Sequence, residues 1–117
     1  MKLINSIEIV IKKSRFIGFY YAISNVDDVI PLIEKLRREY KKATHVVYAY
    51  KIQNSVKKDD DNEPSGTAAN PILNVIEKRD LNDVLIVVIR YFGGVKLGAG
   101  GLIRAYGKCA SIATKKE

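Results

Sequence analysis

Two stretches of the chain concentrate side chains fit for chemistry. The first is RYFGGVKLGAGGLIRAY, residues 90–106. Five of the eight glycines, Gly93, Gly94, Gly98, Gly100 and Gly101, fall here among the cations Arg90, Lys96 and Arg104. A buried-strand run, LIVVI, precedes it and an amphipathic helix pattern follows. A glycine-rich basic loop that opens a helix turns backbone N–H groups and positive charge toward an anion. The spacing matches neither common nucleotide fingerprint. Ile103 stands where G-x-G-x-x-G needs its third glycine, and Ala99 follows Gly98 where a Walker A loop needs lysine. No ATP, NAD or other cofactor is therefore expected. Two readings remain open. The loop approaches a phosphate or a partner's carboxylate, or its glycines supply positive φ and tight helix–sheet packing.

The second stretch is acidic. Asp59, Asp60, Asp61 and Glu63 precede Pro64-Ser65-Gly66-Thr67. Carboxylates beside hydroxyls suit a divalent cation, but the distant glutamate of a calcium hand is missing, and no metal is expected. The other readings are pairing with Arg90, Lys96 or Arg104, and a solvated loop. His45 is the single histidine, and one cysteine cannot complete a zinc set. A Ser–His–Asp set can be written from Ser65 or Ser14 with His45 and Asp61, yet no nucleophile elbow surrounds either serine. A lone strand histidine is more often hydrogen-bonded structure. Aromatics beside Lys and Arg stack on RNA bases when exposed. Tyr20, Tyr48 and Tyr50 read as core, and Tyr91 and Phe92 as the exceptions. Cys109 reads as a small buried hydrophobe.

The elements that position these residues follow from hydrophobic period. Alternation predicts strands over 3–11, at an edge, over 15–23 and over 44–52. In the third, Val46, Tyr48, Tyr50 and Ile52 share one face and His45, Val47, Ala49 and Lys51 the other. An unbroken apolar run predicts a central strand over 83–91, covered on both faces. Helical spacing places Val26, Val29, Ile30, Ile33, Leu36 and Tyr40 on one helix, with Pro31 in its tolerant first turn or at a kink. A second helix is expected within 66–79, with Asn70 as N-cap before Pro71, and a third over 100–115. Residues 53–65 read as a long loop. The order ββαβαβα is an α+β fold, a four-stranded sheet with helices on one face.

With 117 residues the chain reads as one domain, 1–117, large enough for a core without disulfides. No apolar run is long enough for a bilayer, so no membrane association is expected. The lone cysteine and the absence of a signal-peptide pattern suit a cytoplasmic protein. The net charge is +7. Residues 1–58 carry twelve Lys/Arg against five Asp/Glu, residues 59–63 four acids, and residues 64–117 eight against four. Such a basic balance favours RNA, ribosomes or acidic proteins as partners, or serves solubility alone.

The stretches DNEPSGTAANPIL and DVLIVVIRYFGGVKLGAGGLIRAYGKC, with SRFIGF and ATHVVYAYKI before them, resemble the Impact/YigZ family of translation regulators. The resemblance covers roughly residues 12–112. It implies a fold similar to domain IV of elongation factor G and to the ribonuclease P protein, a two-layer α+β sandwich. It implies no established enzymatic activity. Bacterial members carry a further ferredoxin-like domain. Eukaryotic members carry another N-terminal domain and compete for the activator of a translation-control kinase. The family signature falls on Asp61, Glu63, Pro64, Ser65, Gly66, Thr67 and Ala68. It resumes at Arg90, Tyr91, Phe92, Gly93, Gly94, Lys96, Leu97, Gly98, Gly101, Leu102, Arg104 and Ala105, and His45 also matches. The expected function is a translation-regulating binding module. Its basic glycine-rich face would contact RNA, the ribosome or a translation-related protein. The alternative is a small enzyme acting on a phosphorylated or acyl substrate through His45 and the acidic loop.

Overall fold

The computed structural model describes residues 1–115. The chain runs β1 (Lys2–Ile11), β2 (Ser14–Ala22), a 3-10 turn (Val26–Asp28), α1 (Val29–Glu39), β3 (His45–Ile52), β4 (Ser55–Asp59), α2 (Ala69–Lys78), β5 (Val84–Tyr91) and α3 (Gly98–Ala113). The strands form one antiparallel sheet in the order β1-β2-β5-β3-β4. The α+β class and the edge position of β1 are as expected. So is central β5, buried from Val84 to Arg90. No helix among the described residues is long and apolar enough to cross a membrane.

Two expectations need correction. The sheet has five strands, because β4 forms inside the segment read as a loop. Its sequence, SVKKD, is nearly all exposed and carries no apolar alternation. Backbone pairing with β3, from Tyr48↔Asp59 to Ile52↔Ser55, defines it instead. Gln53 and Asn54 close the hairpin with φ of 50° and 72°, the conformation that matches strand twist in a two-residue turn. Lysines on such an edge oppose further pairing.

The helices also do not share one face. α2 and α3 pack on the side lined by Phe16, Val47, Ala49, Ile86 and Val88. α1 covers the opposite side, setting Val29, Leu32, Ile33 and Leu36 against Phe19, Tyr48, Leu85, Val87 and Ile89. The result is three layers, not two. The cause is legible in β5: both of its faces are apolar, so each needs a cover.

Pro31 sits in the first turn of α1, where its missing N–H costs nothing. α2 begins at Ala69, one residue before the expected cap. Gly18 lies where α3 approaches the sheet, and a Cβ there would stand 2.8 Å from the Cys109 sulfur. Register then sets the site. Arg90 is paired with His45 on one side and Phe16 on the other, so three side chains stand abreast at one end of the sheet.

Candidate binding site at the end of the sheet

The acidic loop folds back over these three side chains. Asp61 and Asn62 turn it through the left-handed region, with φ of 45° and 68°. The turn drives Glu63 inward until it is 6% exposed, while Arg90 is 5% exposed. Arg90 Nη1 donates to Glu63 Oε1 at 3.0 Å and to Oε2 at 2.8 Å. The Tyr106 hydroxyl donates to Oε2 from α3. On its other side, Arg90 reaches the buried Ser14 hydroxyl through Nη2 at 3.2 Å. The guanidinium also lies between the rings of Phe16 and Phe92, 5.6 and 5.5 Å from their centroids. A buried charge pair survives desolvation only when its remaining donors and acceptors are met, and here they are.

His45 joins the network with both nitrogens. Nδ1 donates to the Asp61 carbonyl at 2.7 Å, since a carbonyl only accepts. Nε2 stands 3.3 Å from Glu63 Oε1, and a second proton there turns the contact into an ion pair. Burial, followed by the bond to Glu63, pushes the Tyr106 phenol well above its ordinary range. Tyr106 therefore stays a donor.

The other acids hold the loop together. Asp60 accepts from the N–H groups of Ala69 at 2.8 Å, Ala68 at 3.3 Å and Gly66 at 3.1 Å. It thus caps α2, the role expected of Asn70. Asn70 instead accepts from Lys58. Asp61 accepts the Val46 N–H at 2.7 Å and pairs with Arg37 at 3.1 Å. Asp59 accepts from the Asp61 N–H at 2.8 Å.

Beside the network opens a pocket of about 410 Å³. Arg90, Glu63 and His45 line it, Phe92, Leu97 and Leu102 supply apolar wall, and Thr44, Lys96 and Gly98 complete it. The two sequence motifs thus close on a single site. Lys96 and Arg104 are exposed and form no ion pair among the described residues.

Some sequence candidates stand elsewhere. Tyr91 faces the α1 side with the Arg15 guanidinium 5.0 Å over its ring. Gly93 is needed for packing, since a Cβ would fall 1.9 Å from the Lys13 carbonyl oxygen. Gly94, Gly98 and Gly66 supply positive φ, at 89°, 74° and 80°. Gly101 packs on Leu97 within the helix. Thr67 is buried and donates to the Pro64 carbonyl at 2.5 Å, while Ser65 is exposed. The structural reading of the glycine loop thus holds for Gly93, Gly94 and Gly98, and Gly98 also lines the pocket.

Sequence reasoning gave Tyr106 and Thr44 no place in the site, and it named Ser14 and Asp60 without their roles as partner of Arg90 and cap of α2. Tyr106 carried a signal: a tyrosine on an inward helix face needs a partner for its hydroxyl. Asp60 carried none, because it caps a helix that begins nine residues later.

An α+β domain with two motifs closed on one pocket is what the fold defines. Residues 12–114 match the model of the Impact N-terminal domain, and the chain belongs to that family. It is 51% identical over 107 residues to the IMPACT family member YvyE of Bacillus subtilis (strain 168), covering 89% of this chain and 49% of that protein. It spans about half the length of that curated relative. A solved crystal structure of a hypothetical protein superposes with a TM-score of 0.89 at 33% identity, covering 93% of this chain and 55% of the other. The two-domain translational regulator Yih1 shares the fold at a TM-score of 0.53 and 23% identity, over 95% of this chain and 45% of the other.

Proposed function

We propose that the domain is a translation-regulating binding module of the cytoplasm. It contacts RNA, the ribosome or a translation-related protein through the face around the pocket. One observation carries this reading. The reactive groups on the pocket floor are committed to one another: Glu63 to Arg90 and Tyr106, His45 to Asp61 and Glu63. What stays exposed at the pocket is the aromatic residue Phe92 and the cation Lys96, which forms no ion pair among the described residues. Such a rim holds a partner and leaves little to transform one. Family membership and the fold shared with a translational regulator support the direction.

On this reading the contact face excludes Arg90, which is buried against Glu63. Arg90 is a scaffold residue, so charge reversal there would break the core. Lys96 and Phe92 are the ones to vary. Co-sedimentation with ribosomes across a salt series tests the reading. Binding at low salt should fall steeply as salt rises, through counterion release, and Lys96→Glu should weaken it. A domain that neither pellets at low salt nor recovers a nuclease-resistant protein partner refutes it.

A further inference from the structure

We propose that the chain holds a single-stranded segment of RNA along Lys41, Lys42, Thr44, Phe92 and Lys96, with one unpaired base stacked on Phe92. This rests on the reading above and names its partner.

Phe92 is built as a platform. Its ring lies with one face on the Arg90 guanidinium, 5.5 Å from the centroid, yet the residue is 47% exposed. Its backbone N–H donates to Thr44 Oγ1 at 2.9 Å, which ties the residue to the start of β3. Arg90 is itself locked by Glu63 and Ser14. The ring thus rests on a buried, hydrogen-bonded guanidinium while nearly half of the residue's surface stays exposed. Every base offers a π-face to such a ring. The base must be unpaired to reach it, which favours a single strand over a duplex.

Cations line both hollows that share Thr44, the residue that accepts the Phe92 N–H. Thr44 lines both the main pocket and a smaller hollow of about 120 Å³, whose wall also holds Arg37, Tyr40, Lys41 and Asp61. Arg37 is committed to Asp61 and Lys35 to Glu39. Arg38, Lys41 and Lys42 are exposed and form no ion pair among the described residues. Lys96 stands across the main pocket. Thr44 accepts from Phe92, so its own O–H is left to donate. The one carboxylate in the pocket, Glu63, is already saturated by donors. Of the acids along the path, Glu63 is held by Arg90 and Tyr106 and Asp61 by Arg37 and the Val46 N–H, which leaves exposed cations and a hydroxyl beside the aromatic ring. That pattern fits phosphates on either side of a stacked base. An acidic peptide would satisfy the cations but leave the ring unexplained.

The test is fluorescence anisotropy with a short labelled single-stranded RNA of mixed sequence, beside the same sequence as a duplex. The variants are Phe92→Ala and the double Lys41→Glu/Lys42→Glu. A third, Lys2→Glu/Lys78→Glu, is the control, with Lys2 opposite Ala22 at the far end of the sheet. All five positions are exposed, and matching thermal melts confirm folding. Phe92→Ala should weaken binding about tenfold without changing its salt slope. Lys41→Glu/Lys42→Glu should lower the slope of log affinity against log salt by about 1.4 or more. The control should bind as the unaltered chain does. Equal affinity of both site variants and the unaltered chain overturns the proposal, as does duplex binding as tight as single-strand binding. If the chain pellets with ribosomes but binds no oligoribonucleotide, this proposal fails and the broader reading stands. If it does neither and recovers no protein, both fail.

Discussion

Arg90 and Glu63 lie 27 residues apart in sequence, and one guanidinium nitrogen donates to both oxygens of one carboxylate. Each belongs to a different motif, so this pair is the joint that makes two motifs one site. It also explains why a basic glycine loop does not present Arg90 to a ligand. The anion that Arg90 meets is supplied by the chain itself.

Glu63→Ala should destabilise the domain by about 3 to 5 kcal/mol, because it strands a buried guanidinium. A double replacement, Glu63→Leu with Arg90→Met, should cost less than either single change, since it removes both charges together. Urea denaturation of the unaltered chain, Glu63→Ala, Glu63→Leu, Arg90→Met and the double variant measures this. Additive losses would mean that the pair is not coupled.

Asp60→Ala should cost about 1 to 2 kcal/mol by uncapping α2. Asn70→Ala should cost less, because Asn70 does not cap the helix. Hydrogen exchange at Ala68 and Ala69 locates the effect, with faster exchange expected in the Asp60 variant alone.

The glycines of the loop should differ sharply under substitution. Gly93→Ala drives a Cβ into the Lys13 carbonyl and should lower the melting temperature strongly. Gly100→Ala meets only the flexible end of Arg104, at 3.3 Å, inside a helix. It should be neutral or stabilising by up to about 1 kcal/mol. Equal effects would contradict the assignment of Gly93 to packing.

Stability should fall in alkali. Burial pushes the Cys109 thiol up to about 12, from an ordinary 9.0. The Tyr106 phenol is raised above its ordinary 10.0 by burial and then by Glu63. Both groups stay protonated in the folded chain but lose protons once unfolded. The unfolded state is therefore favoured as pH rises above those ordinary values, while below them the contribution is complete. Melting temperatures should hold to about pH 8.5 and decline beyond about pH 9 to 10. Tyr106→Phe should melt lower at neutral pH yet show a shallower alkaline decline.

How far the sequence carried depends on what each element is made of. α1, β3 and β5 were legible because their apolar periods are long, and the face shared by His45, Val47 and Ala49 followed directly from alternation. β4 was invisible because a polar edge strand is held by backbone pairing, which leaves no side-chain pattern. The third layer was missed although β5 signalled it, since cover on both faces was inferred without assigning α1 to the second. In the site, pairing of the acidic loop with Arg90 was one of three open readings, and geometry selects Glu63 as the acid that makes it. The capping by Asp60 depends on a loop path that no local residue pattern encodes.

Ribosome co-sedimentation of the chain beside its Phe92→Ala/Lys96→Glu variant, across a salt series, tests the contact face itself. Both changes lie on exposed positions and leave the Arg90–Glu63 hydrogen bonds in place, so the variant should fold, with a modest loss of melting temperature from the Phe92 ring removed from Arg90. The unaltered chain should pellet at low salt and release steeply as salt rises, while the variant should stay in the supernatant. A folded variant that pellets like the unaltered chain would show that the joined motifs do not form the contact face.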